Sequence, residues 1–194
     1  MNAASLDFIN SEFRDFRGRW VRDDLQRPEW LEQFLMRWGL QMGDPPDSTT
    51  MDELMVLRSL LCHIVEALSR GQISDDDLAA LNTILRSAPS IRHLSRDNEI
   101  NGYRKYQLDL VPLKKDWSWV QAEIFASFAD LLIQHDSQRL KICQNSNCRW
   151  IFYDESKSRT RRYCTVDKCA NLMKVRRFRA RRRGEVQKSQ KPGE

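Results

Sequence analysis

The chain has 194 residues, of which 41% are hydrophobic, and its 32 basic and 27 acidic residues give a net charge of +5 at pH 7. This composition excludes wholesale disorder, and the length suits one or two small domains. No apolar run approaches the roughly 18 to 20 residues of a membrane span, so we expect a soluble, cytoplasmic protein without a membrane partner.

The net charge conceals a division between the two parts of the chain. Residues 137–194 contain 17 basic and 5 acidic residues, which is a net charge of +12. Residues 1–136 contain 15 basic and 22 acidic residues, which is a net charge of −7. A basic segment joined to an acidic body is typical of a protein that binds a polyanion.

The first part of the chain is predicted to be mainly helical. Apolar residues recur at helical spacing from Leu6 to Phe16, which predicts a first helix that ends at Gly18. A second helix is predicted from Pro28 to Trp38, because proline is favoured in a first turn and Gly39 follows the last apolar residue.

Further helices are predicted from their capping residues. A capping box at Thr50 and Glu53 predicts a long helix that reaches about Arg70 and has an apolar stripe for the core. Ser74, followed by three aspartates, predicts another helix that stops at Pro89.

A β-hairpin and one more helix complete this part of the chain. Residues 91–94 and 103–110 predict two strands, joined by a turn at residues 98–102. Residues 117–134 predict a strongly apolar helix that leads without a long linker into the basic segment. We therefore expect the two parts of the chain to pack together.

Four of the five cysteines lie in the basic segment with the spacing Cys-x4-Cys-x15-Cys-x4-Cys, namely Cys143, Cys148, Cys164 and Cys169. The cysteines form two close pairs on tight turns, and the residues between the pairs are predicted to form one small hairpin. This arrangement suits a tetrahedral site for one structural Zn²⁺ ion. Disulfides, a redox or other metal site, and plain buried thiols are the alternatives. A disulfide framework is disfavoured because nothing resembles a secretory signal. Cys62 is predicted to be a small core residue.

The residues after Cys169 predict a helix dominated by arginine. Its candidate nucleic-acid-binding residues are Lys174, Arg176, Arg177, Arg179, Arg181, Arg182 and Arg183. Leu172, Val175 and Phe178 fall on one face, which we expect to pack against the zinc hairpin. The exposed cations would then contact phosphates and guanine edges. After Gly184, the polar residues 185–194 are predicted to be a disordered tail.

Residues 143–183 resemble the CGNR zinc finger. The resemblance is carried by the cysteines, Phe152-Tyr153-Asp154, Ser156, Arg161-Arg162-Tyr163, Asn171, Lys174 and the arginine-rich helix. The tetrapeptide that names the family differs here, because Ala170 and Leu172 replace its glycine and arginine. Leu172 thereby removes a positive charge from the first turn of the helix.

The preceding part of the chain resembles the ABATE domain. This resemblance is carried by Asp7-Phe8-Ile9-Asn10 and by Trp30-Leu31 at the head of the second helix. ABATE domains precede CGNR fingers in a family of bacterial stress-induced transcription regulators. The resemblance therefore implies regulation of transcription, without indicating a promoter or a signal.

The expected fold is mainly α with a small β-hairpin (α+β). Residues 1–136 form an ABATE-like helical domain, residues 137–184 a treble-clef-like four-cysteine zinc finger with a basic helix, and residues 185–194 the tail. The expected function is that of a DNA-binding transcription regulator whose N-terminal domain senses a signal or dimerises. Its expected partners are double-stranded DNA and, as a homodimer, a second copy of the chain.

Two other functions remain open at this point. The zinc finger could bind structured RNA, with Trp150, Phe152 and Tyr153 stacking on bases, although packing of the small hairpin is the commoner role of such residues. It could also bind an acidic protein or the acidic N-terminal domain itself. An enzyme is disfavoured, because four cysteines leave no coordination position for water and the three histidines are isolated in sequence.

Overall fold

The computed structural model describes residues 2–96 and 106–189, with side chains described as far as Arg183. The helices are α1 (Ala4–Ile9), α2 (Pro28–Trp38), α3 (Ser48–Arg70), α4 (Asp75–Ser87), α5 (Trp117–Gln134) and α6 (Asn171–Ser189). The strands are β1 (Glu12–Arg14), β2 (Val21–Asp23), β3 (Ser90–Arg96), β4 (Tyr106–Pro112), β5 (Leu140–Ile142) and β6 (Ile151–Tyr153). Strands β1 and β2, β3 and β4, and β5 and β6 form separate antiparallel pairs. The predicted mainly α fold with small strand pairs is confirmed.

Helices α1 to α5 pack around one apolar core, to which α4 contributes the buried Leu81. The apolar stripe predicted on α3 is buried, and Leu61 and Val65 at its centre are inaccessible to solvent. The same core continues into the cysteine-containing segment through Leu140 and Ile151. The two parts of the chain therefore pack together, as their short connection predicts.

Local signals predict several of the helices accurately. Helix α2 begins at Pro28 and ends at Trp38, and Gly39 caps it in the left-handed conformation with φ of 69°. Ser74 and Asp77 form a reciprocal capping box at the start of α4. Helix α5 spans residues 117–134, as predicted, and Asp116 caps its first turn. The β3–β4 hairpin is also confirmed, although its predicted turn at residues 98–102 lies outside the described residues.

The first helix is much shorter than predicted, because it ends at Ile9 instead of at Gly18. Asn10 forms two hydrogen bonds with the backbone of Ile151, which lies 141 positions later: its Nδ2 donates to the carbonyl at 2.8 Å and its Oδ1 accepts from the N–H at 2.9 Å. Phe13 then lies on strand β1 and contacts the rings of Trp20 and Trp150 at 5.6 and 5.7 Å. Distant partners thus override the helical spacing of the apolar residues.

The long helix α3 begins before the predicted capping box. Asp47 is its cap, and the Asp47 side chain accepts a hydrogen bond from the backbone N–H of Thr50 at 2.8 Å. Thr50 therefore lies inside the first turn, and its predicted role as the cap is wrong. Aspartate and threonine are both good caps, so sequence alone does not distinguish the two starts.

We expect Asn10→Ala to lower the free energy of unfolding by about 1–3 kcal/mol, because it leaves the buried N–H and carbonyl of Ile151 without these partners. Urea unfolding of the zinc-loaded protein measures this change. Asn82→Ala, at an exposed position of α4, is the control and should stay within about 0.5 kcal/mol of the parent protein. Equal stability of the two variants would contradict the proposed role of Asn10.

Candidate metal centre

The first cysteine pair lies in the loop that joins β5 to β6. In this hairpin Leu140 pairs with Tyr153 and Ile142 with Ile151. We call the loop from Cys143 to Cys148 the zinc knuckle. The sequence predicted a hairpin between the two cysteine pairs, which is wrong, because β6 pairs with residues that precede Cys143.

The second cysteine pair is reached through a loop without strands. Gln144 donates its backbone N–H to the carbonyl of Arg162 at 2.9 Å, which joins the zinc knuckle to the segment before Cys164. Cys169 lies on a π-helical turn, Val166–Ala170, that continues into α6. Helix α6 therefore starts two residues after the last cysteine.

The four sulfur atoms of Cys143, Cys148, Cys164 and Cys169 lie within 4.8 Å of one another. The Sγ atom of Cys164 is 3.7 Å from that of Cys148 and 3.8 Å from that of Cys169. A regular tetrahedron with Zn–S bonds of about 2.3 Å has sulfur–sulfur edges of about 3.8 Å. The four cysteines thus fit one zinc ion, and a complete shell of four thiolates is the pattern of a structural site.

The crowding of the sulfurs separates their pKa values. Hydrogen bonds from the thiols of Cys148 and Cys164, together with backbone N–H groups, lower the pKa of Cys143. The corresponding contacts with Cys143 raise the pKa of Cys148 and of Cys164. Adjacent negative charges oppose each other, so a bound cation is what allows all four sulfurs to be thiolates together.

A buried asparagine in the zinc knuckle links the metal site to the N-terminal domain. Asn145 is inaccessible to solvent, and its Nδ2 donates to the carbonyl of Phe16 at 2.7 Å and to the sulfur of Cys169 at 3.4 Å. Asn145 was not among the residues that we predicted for the site. The signal was a pair of asparagines inside the knuckle, Cys-Gln-Asn-Ser-Asn-Cys.

A buried carboxylate organises the loop between the cysteine pairs. Asp154 accepts hydrogen bonds from Lys141 Nζ at 2.6 Å, from the N–H of Ser156 at 3.0 Å and from the N–H of Arg161 at 3.0 Å. Burial alone would raise the pKa of Asp154, but these hydrogen bonds outweigh it and hold the pKa well below its usual range. The Ser156 hydroxyl also donates to Asp154 at 2.5 Å, so these contacts explain Asp154 and Ser156 of the CGNR resemblance.

Phe152 and Tyr153 on β6, and Trp150 just before it, pack against other side chains. Phe152 is buried, and the Arg161 guanidinium lies 4.9 Å from its ring centre. Trp150 makes an edge contact with Phe13 at 5.7 Å, and Tyr153 makes one with His135 at 5.7 Å. Their surroundings therefore match the packing role more closely than base stacking.

Helix α6 exposes all seven of its candidate nucleic-acid-binding residues, which are Lys174, Arg176, Arg177, Arg179, Arg181, Arg182 and Arg183. The expected packing of its apolar face is wrong, because 45% of Val175 and 60% of Phe178 are exposed and only Leu172 is half-buried. Beyond the first turn, Val175 borders an open cleft, and Arg177 donates a hydrogen bond to the hydroxyl of Tyr163 at 2.5 Å. Its backbone also continues to Ser189, beyond the predicted end at Gly184. A single glycine costs a helix only about 1 kcal/mol and does not have to terminate it.

The other histidine, cysteine and acidic side chains of the described residues do not assemble into a second metal site. Among the residues that the structure describes, the four cysteines are the group of histidine, cysteine and acidic side chains that could hold a metal ion. His63 lies 3.5 Å from Asp77, and the half-buried Cys62 packs against the core with its pKa raised by burial. The prediction of Cys62 as a small packed residue is therefore confirmed.

We expect the purified chain to contain one zinc ion, and Cys164→Ser to contain less than one, because a serine hydroxyl is a poor zinc ligand at neutral pH. Elemental analysis after dialysis measures the zinc content. Cys62→Ser is the matched control, since it also removes one thiol, and it should keep one zinc ion per chain. Equal zinc loss from both variants would contradict the assignment of the site.

Comparison with protein-family profiles gives two matches. Residues 139–182 match the CGNR zinc finger, and residues 2–135 match ABATE, described as "Putative stress-induced transcription regulator". A comparison with curated proteins gives no match. Within the described part of the chain, no helix is both long enough and apolar enough to cross a membrane. Because the ABATE match covers more than half of the residues, the chain belongs to the ABATE family and carries a CGNR zinc finger with one structural zinc site.

Proposed function

We propose that the chain is a cytoplasmic transcription regulator that binds double-stranded DNA through α6. The observation that carries this proposal is a helix that begins two residues after a zinc ligand and exposes seven basic side chains. None of the seven forms an ion pair with a carboxylate among the described residues. Their charge is therefore available to phosphate groups.

The geometry of α6 suits a duplex better than a small anion. The part from Asn171 to Arg183 is about 20 Å long at 1.5 Å per residue, and an α-helix fits the major groove. Basic side chains around most of its circumference can contact phosphates on both sides of such a groove, while an arginine at the centre reads guanine. The acidic charge of residues 1–136 would direct DNA toward this end of the molecule.

The domain boundaries are part of the same proposal. We assign residues 1–136 to a sensing or dimerisation domain and residues 137–184 to the zinc module, although they share one apolar core. Packing of Phe152 and Trp150 makes an RNA-stacking function the weaker alternative. A preference for structured or single-stranded RNA over duplex DNA would favour that alternative.

The test is DNA binding by the zinc-loaded full chain across a range of salt concentrations. We expect the double variant Arg181→Ala/Arg183→Ala to bind more weakly and to reduce the log–log salt slope by about 1.8, since each lost phosphate contact contributes about 0.9. Arg86→Ala, an exposed arginine on α4, is the control and should keep the parent slope. Binding that is indifferent to salt would contradict the proposal.

We also propose that the chain forms a homodimer through the β3–β4 hairpin. Leu94 and Leu108 are paired on one face of this hairpin and are 65% and 60% exposed. Arg92 pairs with Leu110, and Arg96 with Tyr106, on the same face. An isolated two-stranded hairpin is marginally stable in water, so an apolar face of this kind favours a covering partner.

A second copy of the same face is a suitable partner. If a two-fold axis runs parallel to the strands, β3 of one copy lies over β4 of the other. Leu94 then faces the partner's Leu108, and Arg96 faces the partner's Tyr106, which supplies a cation–π contact. The two rows of arginines do not meet in this arrangement.

Light scattering during size-exclusion chromatography tests the dimer. We expect the parent protein to have twice the chain mass of 23.0 kDa and Leu94→Glu to have the mass of one chain. The matched control is Ile91→Glu, because Ile91 is exposed on the opposite face of the hairpin, and this variant should remain dimeric. A monomeric parent protein would contradict the proposal.

A further inference from the structure

The segment between β1 and β2, residues 15–20, forms a hydrogen-bonded turn next to the zinc knuckle; we call it the β1–β2 turn. Gly18 has φ of 80° and donates its N–H to the carbonyl of Asp15 at 2.7 Å. The buried Asp15 carboxylate accepts hydrogen bonds from the backbone N–H of Arg19 at 3.2 Å and from its Nε at 2.7 Å. These contacts hold the turn in one conformation.

The zinc knuckle fixes the position of this turn. Asn145 donates to the carbonyl of Phe16 at 2.7 Å. Gly18 lies so close to Asn147 that a Cβ atom at this position would be 2.7 Å from the Asn147 Nδ2. Because Asn145 also contacts the sulfur of Cys169, the turn is held in a defined position relative to the start of α6.

A cleft of about 530 Å³ separates the β1–β2 turn from α6. Phe16 and Arg17 form one wall of the cleft. The basic residues on the other side are Lys168, Arg176 and Arg179, and the apolar residues there are Leu172 and Val175. Asp167 is the acidic residue that lines it. Four basic side chains and one acidic side chain therefore surround a cleft that continues along the exposed helix.

Arg17 differs from the other arginines around this turn. Arg14, Arg19 and Arg22 pair with Glu12, Asp15 and Asp24, respectively. Arg17 is exposed, its guanidinium lies 5.4 Å from the ring centre of Phe16, and it has no carboxylate partner among the described residues. Its charge is thus presented to the cleft from the N-terminal domain, which is otherwise acidic.

We propose that the β1–β2 turn is a second part of the DNA-binding surface, in which Arg17 contacts a backbone phosphate across the cleft from Arg176 and Arg179. This inference rests on the proposed DNA-binding function of α6. The occupant is the phosphodiester backbone of a duplex, because the cleft opens onto the further cations of α6 and only an extended polyanion can satisfy both. The N-terminal domain then helps to position the DNA as well as carrying the zinc module.

The experiment compares Arg17→Ala, Arg17→Lys and Arg86→Ala in the zinc-loaded full chain, with a short fluorescent duplex as the probe. We expect Arg17→Ala to reduce the log–log salt slope by about 0.9 and the affinity near 0.15 M salt by about fivefold, as the loss of one phosphate contact requires. Arg17→Lys, which keeps the charge, should retain the slope, and Arg86→Ala should retain both values. Zinc content and the melting temperature should be the same in all three variants.

Different outcomes separate this inference from the function on which it rests. If Arg181→Ala/Arg183→Ala reduces the slope but Arg17→Ala does not, the role of the β1–β2 turn is wrong while DNA binding by α6 stands. If the parent protein itself shows no salt-dependent binding, the proposed function is wrong. If poly-glutamate competes with the fluorescent duplex as strongly as unlabelled duplex does, the assignment of a phosphodiester backbone as the occupant is overturned.

Discussion

Four thiolates on one zinc ion hold together segments that have little other structure. Strands β5 and β6 are three residues long each, and the loop from Asp154 to Tyr163 contains no strand. The apolar cluster around the cysteines is small, with Phe152 as its buried aromatic residue. Structural zinc typically contributes about 10–16 kcal/mol of binding free energy, which replaces the core that so short a segment does not have.

Buried amide side chains connect this metal site to the helical domain. Asn10 pairs with the backbone of Ile151, and Asn145 joins the carbonyl of Phe16 to the sulfur of Cys169. Each amide satisfies polar groups that would otherwise be buried without partners. The zinc module is therefore oriented by the N-terminal domain, and the two together determine where α6 and Arg17 lie.

The sequence predicts those features whose causes are local. Helix α2, helix α5 and the capping box at Ser74 follow from periodicity and capping, and the zinc ligands follow from the number and spacing of the cysteines. The end of α1 was not predictable, because Asn10 and Phe13 find partners more than 100 residues away. The apolar face of α6 was predicted to be packed, but a sequence pattern does not indicate whether a neighbouring surface exists. The position of Arg17 across a cleft from α6 likewise depends on contacts between segments that are distant in sequence.

The central claim is that Cys143, Cys148, Cys164 and Cys169 coordinate one zinc ion together. X-ray absorption at the zinc edge of the full-length protein tests it most directly, because this measurement reports the type, number and distance of the ligand atoms. The account predicts four sulfur ligands at about 2.3 Å and no nitrogen or oxygen ligand. A shell with nitrogen or oxygen atoms in place of one or more sulfurs would contradict it.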